Sequence, residues 1–341
     1  MADLAGFSAR RVASEAAGKL RGFGFANYVE ANGGPGVAKL IDAAGVPVES
    51  AGIHFGADGG VTVAICTQST GQDHAGPVVD VVARTLAIEP IRITVTEGDT
   101  AALRLGGGTG GSKSLLTSTA AVMQMLCDDE ATATALMAEL YGVSLQDVHF
   151  DHGVLRLKDS NVARSVTDLA MLFPGRLDIQ SSASIRHGSF ANGCHACEVE
   201  LDRETGDASV VAYTAVDDFG RVLHAGKVQG QIHGGVAQGI GQALFEACSY
   251  DCGSGQLISG SLLDYAVVHA GEMPPITWQD NGLPCTTNPL GVKACGEAGA
   301  SAAPPAVMNA ILDALRRCPG AERLQMPAGA RDIWALLAQR R

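Results

Sequence analysis

The sequence is short of aromatic side chains, of positive charge, of long apolar runs and of any disulfide framework. Lys and Arg number 24 against 36 Asp and Glu, a formal net charge of -12 with a pI near 5.1. A nucleic-acid binder shows the opposite sign or a concentrated basic patch. Here the only basic clusters are Arg10–Arg11 and Arg316–Arg317, so nucleic acid is excluded as a partner. No apolar run approaches the roughly 20 residues that span a bilayer, and no membrane span is expected. Met1–Leu20 lacks the basic-then-apolar order of a secretory signal, which points to the cytoplasm.

Nine cysteines in a long chain are an odd number and do not read as a set of disulfides. Cys194-His-Ala-Cys197 and the pair Cys248 and Cys252 have spacings that could hold zinc or an iron–sulfur cluster. However, Cys194–Cys197 runs into the alternating stretch Glu198–Asp202, a strand pattern, and Cys248 falls at the end of a helix. Reduced, buried thiols are the simpler reading.

What the chain has is glycine, 43 of 341 residues, beside 46% hydrophobic and 18% charged residues, an ordinary globular balance. Small side chains allow backbones to approach closely, in packing and near a ligand. A helical pattern opens residues 12–30 and gives way to a strand at Phe23–Glu30, with a turn at Gly33–Gly36. Val61, Val63 and Ile65 alternate as a strand. A helix follows from about Gly71–His74 with Pro77 in its first turn and Val78, Val82 and Leu86 on one face. Further expectations are a strand at Ile91–Thr96, a helix from Ser112–Ser114 to Leu126, and a short helix at 131–141. A hairpin at 148–157 and a helix at 162–173 complete that half.

Beyond the break at 175–195 the pattern changes. Glu198–Leu201 and Ser209–Asp217 flank Asp202–Asp207, a hairpin signal. A helix at about 230–248 carries Ile232, Val236, Ile240 and Leu244 on one face. Its glycines at 234, 235, 239 and 241 cost propensity, so close packing is needed to explain them. The last large helix is expected to hold Pro304–Pro305 in its first turn. The chain thus reads as an α+β protein of two lobes, 1–180 and 181–341, with mixed sheets flanked by helices.

Four polar, glycine-rich segments could carry chemistry. Gly106–Gly111 fits the G-x-G-x-x-G expression, but the weak strand pattern of Thr100–Leu105 before it argues against a dinucleotide fold. It is also not a P-loop, since Ser112 separates Gly111 from Lys113. Its amides, Ser112, Lys113 and Ser114 at a helix start still form a credible anion cradle. Gln68–His74 lies between strand and helix and could read a phosphate or the edge of a heterocycle, or simply cap the helix. Gln229–Gly235 places Gln231 near another helix start, and His233 alone reads as a structural histidine. In Asn288–Gly299 the carboxylate of Glu297 stands among glycines with few charges nearby, a setting suited to burial and a raised pKa. Complementing a helix dipole fits that pattern equally well.

Taken in order, these segments resemble the large subunit of the xanthine dehydrogenase, aldehyde oxidoreductase and carbon monoxide dehydrogenase family, the molybdenum hydroxylases. The likeness runs through Asn27–Ala31, Thr70–His74, Gly110–Ser114, Asn192–His195, Ala215–Val222, Gln231–Gln242 and Gly296–Gly299 before Pro304–Pro305. It implies the family's molybdopterin-binding fold and a molybdenum ion held through a pterin dithiolene rather than by protein ligands. In bacteria that pterin is often extended as the cytosine dinucleotide. By this resemblance Gln72, His74, Gly110, Gly111, Ser112, Lys113, Ser114, Gln231 and Gly296 line the cofactor, and Glu297 is the catalytic base. Glu297 would take a proton from the attacking water-derived hydroxyl during hydroxylation of an N-heterocycle or aldehyde at an electron-poor carbon. A second reading is a molybdopterin-binding or assembly protein without catalysis.

The sequence departs from that family in places. Asp73 stands where glycine is usual, adding negative charge, and Lys113 replaces a common arginine. The family's large subunit is more than twice as long, and the Gly-Gly-Phe-Gly-type loop and substrate-side Arg or Cys loop of its first half are not found. Nor is there an iron–sulfur cysteine pattern or a flavin domain. The resemblance therefore implies a split large subunit, as in nicotinate dehydrogenase, or a shortened chain. Its partners would be a complementary N-terminal-half molybdopterin subunit, an FAD-binding subunit and a [2Fe-2S] subunit.

Overall fold

The computed structural model describes residues 2–33, 46, 48–103 and 105–338. The elements run α1 (Phe7–Ala16), β1 (Lys19–Asn32), β2 (Val48–Phe55), β3 (Val61–Ile65), α2 (Ala75–Leu86), β4 (Ile93–Glu97) and α3 (Ser114–Tyr141). After these come β5 (Val148–Asp151), β6 (Val154–Leu157), β7 (Ala163–Ser165), α4 (Val166–Leu172), β8 (Ile179–Ser184), β9 (Ser189–Asp202) and β10 (Ala208–Asp218). The chain closes with α5 (Ala225–Leu244), β11 (Ile276–Asp280), α6 (Ala298–Ala314) and α7 (Ala330–Ala338).

The elements form two compact α+β units, each built from separate stretches of sequence. The first takes residues 1–30, 190–283 and 295–341; the second takes 31–189 and 284–294. Relative to a division at 180/181, the main crossing lies at 189/190. The first thirty residues sit with the later half, and 284–294 with the earlier one. The turn expected at Gly33–Gly36 lies, beyond Gly33, outside the described residues.

The first unit has a mixed sheet in the order β1-β9-β10-β11, with β9 and β10 antiparallel and β11 parallel to β10. Alternation of buried and exposed residues along β10 turns Val210, Tyr213 and Ala215 to the core, where Ile232, Val236 and Ile240 of α5 and Val307 and Ile311 of α6 meet them. Glycine permits the close approach: a Cβ at Gly22 or Gly24 of β1 would collide with the α6 backbone at Ala306, Ala310 and Ala314. Gly235 and Gly239 of α5 likewise face Gly299, Ala300, Ala303 and Pro304 of α6. Close packing thus explains Gly235 and Gly239 of α5.

Pro304 and Pro305 lie in the second turn of α6 rather than its first, because the helix begins at Ala298. Each removes an internal hydrogen bond, a cost of about 3 kcal/mol in an isolated helix. The complete burial of Ala302, Ala303, Ala306 and Val307 offsets that loss. At the edge of the sheet, Arg10 and Arg21 close on Glu198, holding its carboxyl below the usual range even though burial acts the other way.

The second unit is built around a mixed sheet in the order β4-β3-β2-β8, with β3 and β4 parallel and the other pairs antiparallel. Connection of β3 to β4 runs through α2, whose Val78, Val82 and Leu86 are buried as their spacing predicts. The two helices expected over 112–126 and 131–141 are one helix of 28 residues. The stretch 127–130 contains no breaker and the chain ends its helix only at Gly142, in the left-handed conformation of a C-terminal cap. The helix expected at 162–173 is shorter, since Ala163–Ser165 pairs as β7 and Ser165 then caps α4 through a reciprocal bond pair with Asp168.

Candidate functional site

In the second unit two loops leave the carboxyl ends of the adjacent parallel strands β3 and β4, the edge at which open α/β sheets bind ligands. Residues 66–74 follow β3 and lead into α2; residues 98–113 follow β4 and lead into α3. The loops are latched together. Thr109 Oγ1 donates to the Gln68 carbonyl at 2.6 Å and accepts from the Gln68 amide at 3.0 Å. Beneath them, the Thr67 and Ser118 hydroxyls lie 2.9 Å apart in the interior. The sequence brought each loop forward but gave no sign that Thr109 and Gln68 join them.

The 106–112 loop turns on a series of left-handed residues, Gly108, Gly110, Gly111 and Ser112. Ser112 is the only one with a side chain, which makes its conformation a strained one. A Cβ at Gly110 would meet nothing within 4 Å, so the outer face of this loop is open. Ser114 starts α3 and is buried. Lys113 turns inward: its ammonium is 3.5 Å from Glu49 Oε2, with both side chains almost fully buried. Gly106 and Gly107 lie directly over this pair, and Cys66, whose thiol burial pushes up, donates to the Leu105 carbonyl.

Gln72 is half-buried, and its Oε1 accepts from the Thr70 amide and hydroxyl. His74 precedes α2, and its amide donates to Ser69 Oγ at 2.9 Å. Burial pushes its imidazole below the ordinary value, against the raising effect of Glu97 and Asp73. His74 Nδ1 is buried with no hydrogen-bond partner among the described residues. Asp73 bends back in a left-handed turn and accepts from the Gly76 amide at 3.0 Å. The extra negative charge expected there is therefore committed to the start of α2.

In the first unit Gln231 lies in the second turn of α5, which begins at Ala225 rather than near Gln229. A Cβ at Gly226, Gly230 or Gly234 would meet nothing within 4 Å, so α5 has one glycine face packed on α6 and another open. Gly296 is exposed in the turn before α6, and Glu297 takes the N-cap position with no side-chain capping bond. Glu297 is exposed at the start of α6, the setting of a charge that complements a helix dipole rather than the buried setting that fitted its sequence pattern equally well. Its backbone is firmly held all the same, since α6 rests on β1 through Gly22 and Gly24 and on α5 through Gly299.

Cys197 is buried on β9 as its strand pattern implied, but Cys248 lies four residues beyond α5 rather than at its end and is exposed, as are Cys127 and Cys252; all nine cysteines are free. Among the described residues no group of three or more His, Cys, Asp or Glu could hold a metal ion, and no helix is long and apolar enough to cross a membrane.

Comparison with known proteins accounts for this arrangement. Residues 1–274 match the family model of the molybdopterin cofactor-binding domain. The chain is 32% identical over 330 residues to the nicotine 6-hydroxylase large subunit of Paenarthrobacter nicotinovorans, covering 92% of this chain and 40% of that protein. Its fold matches CO dehydrogenase from Oligotropha carboxidovorans with a TM-score of 0.82 at 26% identity, over 99% of this chain and 44% of the other. Quinoline 2-oxidoreductase from Pseudomonas putida 86 matches with a TM-score of 0.81 at 25% identity, over 98% and 44% respectively. The chain therefore spans less than half the length of the proteins it matches.

Proposed function

Because the chain belongs to the molybdopterin cofactor-binding domain family, we propose that it is the cofactor-binding part of a molybdenum hydroxylase. On this reading it works with a complementary N-terminal-half polypeptide, an FAD subunit and a [2Fe-2S] subunit, in the cytoplasm. The observation that carries the reading is the pair of latched loops at the carboxyl edge of β3 and β4. Open glycine amides, a strained Ser112 and an unpartnered, buried His74 nitrogen fit a ligand rich in acceptors and phosphate.

In the second unit, Gln72, His74, Gly110, Gly111, Ser112 and Ser114 would hold the pterin and its pyrophosphate, in the cytosine dinucleotide form. Lys113, paired with Glu49, would act by holding the loop rather than by touching phosphate. In the first unit, Gln231 and Gly296 would contribute from α5 and the turn before α6. When bound, the cofactor supplies a two-electron oxidation and activates a water-derived oxygen. Glu297 would accept the proton released at that oxygen, from a carboxylate placed on a rigid helix start.

Exposed apolar side chains support the need for a partner. Leu262 and Leu263 are 83% and 92% exposed, and Leu283 is 74% exposed, all in the first unit. The test is Glu297→Gln in the assembled enzyme, assayed with nicotine, quinoline, benzaldehyde and carbon monoxide. The variant is expected to keep its molybdenum and lose turnover by ~100-fold or more, from the lower end of the range for general-base removal upward. Near-normal turnover would remove Glu297 from the chemistry.

A further inference from the structure

Glu49 stands near the start of β2 and is 2% exposed. Its side chain shares a strand face with Ala51 and Ile53, both part of the apolar core. Glu49 Oε2 accepts from the Lys113 ammonium at 3.5 Å and from the Gly107 amide at 3.4 Å. Oε1 is buried with no hydrogen-bond partner among the described residues. One carboxylate on β2 thus reaches both ends of the glycine loop, 58 and 64 positions along the chain.

The loop lies on this floor without slack. A Cβ at Gly106 would sit 2.1 Å from Cys66 Cβ and 2.7 Å from Glu49 Oε1, and one at Gly107 would sit 2.7 Å from Lys113 Nζ. Cys66, the residue after β3, donates its thiol hydrogen to the Leu105 carbonyl at 2.9 Å. Residues 105–107 are therefore gripped from beneath by β2 and β3. Beyond them Gly108, Gly110, Gly111 and Ser112 take their left-handed conformations.

Stability does not call for such a floor. Apolar side chains of similar volume replace a buried ion pair at little or no loss, and a buried acceptor without a partner is a cost. What Glu49 supplies that an apolar side chain cannot is an acceptor for the Gly107 amide and an anchor for Lys113, the N-cap residue of α3.

We infer that Glu49 is the positioning residue of this loop: it ties the Gly107 amide and the start of α3 to β2, and so sets the amides of residues 108–112 to receive the cofactor's phosphates. This role rests on the reading of the loops as the cofactor's hold. It moves the centre of that hold from Lys113 to the carboxylate that Lys113 and Gly107 share.

The test separates position from stability. Glu49→Leu with Lys113→Met removes both charges and the acceptor at similar volume, so the full chain should recover most of the wild-type urea midpoint. In that chain without partners, amide hydrogen exchange of peptides covering 105–112 should speed up by about tenfold or more, the weight of one hydrogen bond to a charged acceptor. Peptides of α2, and of α3 beyond its first turn, should keep wild-type rates. In the native complex purified through a tag on this chain, molybdenum per chain should fall by about tenfold, in proportion to the loosened loop. Glu49→Gln with Lys113→Met restores an uncharged acceptor and should recover part of both losses.

Wild-type exchange and wild-type molybdenum in the leucine variant would overturn the positioning role and leave the pair a structural one. Molybdenum lost from a loop that stays protected would also overturn it, since Lys113 would then serve the cofactor by direct contact. A loosened loop that keeps its molybdenum, or faster exchange throughout the chain, would overturn it as well. A wild-type complex with no molybdenum would instead overturn the reading of the loops, and exchange alone would still decide whether Glu49 holds residues 105–112. Should the leucine variant fail to fold, the glutamine one faces the same readouts, with an expected change of about threefold for a neutral acceptor in place of a charged one.

Discussion

At the scale of single residues, the account depends on where each charge ends. Glu297 and Lys113 both stand at helix starts, yet their side chains have opposite fates: Glu297 is exposed and Lys113 is almost fully buried against Glu49. Lys113→Met leaves Glu49 buried with no cation, an arrangement that costs about 3–5 kcal/mol. Urea unfolding of the full chain should show that loss, and the double variant Lys113→Met with Glu49→Leu should recover most of it.

Asp129 offers a pH test. It is completely buried on α3 with neither oxygen hydrogen-bonded among the described residues, and burial raises its pKa from 3.8 to about 7. Since the folded-state value lies above the unfolded one, its stabilising contribution is present below the unfolded value and is lost as pH rises to about 7. Asp129→Asn should therefore be near-neutral at about pH 4 and stabilising by ~3–4 kcal/mol at about pH 8. Denaturant midpoints measured at both values check this, and a pH-independent difference would contradict it.

At the scale of elements, α5 and α6 show what could be read from sequence and what could not. The period of Ile232, Val236 and Ile240 identified α5 and its buried face, and the glycine excess signalled a close approach. The identity of the neighbour was not legible, because Gly299 lies 64 positions from Gly235 and no local rule links them. The single 28-residue α3 was broken in two for a related reason: its 127–130 stretch is polar, and only tertiary packing shows that Asp129 is buried there. The same limit hid the Thr109–Gln68 latch, formed by residues distant in sequence.

The two glycine faces of α5 make a paired prediction. At Gly299 a Cβ would sit 2.6 Å from the Val236 amide nitrogen and 2.7 Å from the Gly235 carbonyl carbon. Gly299→Ala should thus lower stability by ~2–3 kcal/mol through overpacking. Gly230→Ala, with nothing near its Cβ, should raise it by about 0.5–1 kcal/mol through helix propensity. Thermal unfolding of the two variants should move in opposite directions.

At the scale of the whole molecule, the family likeness was legible because several short motifs occur in a fixed order, and the matched length then set its limits. The chain covers 40% of nicotine 6-hydroxylase large subunit and 44% of the CO dehydrogenase chain. Exposure of Leu262 and Leu263 is the surface consequence of the proposed partnership. Replacing both with lysine should weaken recovery of the complementary polypeptide in a tagged purification while leaving the fold of this chain intact by circular dichroism.

The central claim is that this chain holds a molybdenum pterin cofactor. It is tested most directly by purifying the native complex through a tag on this chain and measuring its molybdenum and its acid-released nucleotide. The account predicts stoichiometric molybdenum together with cytidine monophosphate. A complex that contains the complementary polypeptide but neither molybdenum nor pterin would contradict it.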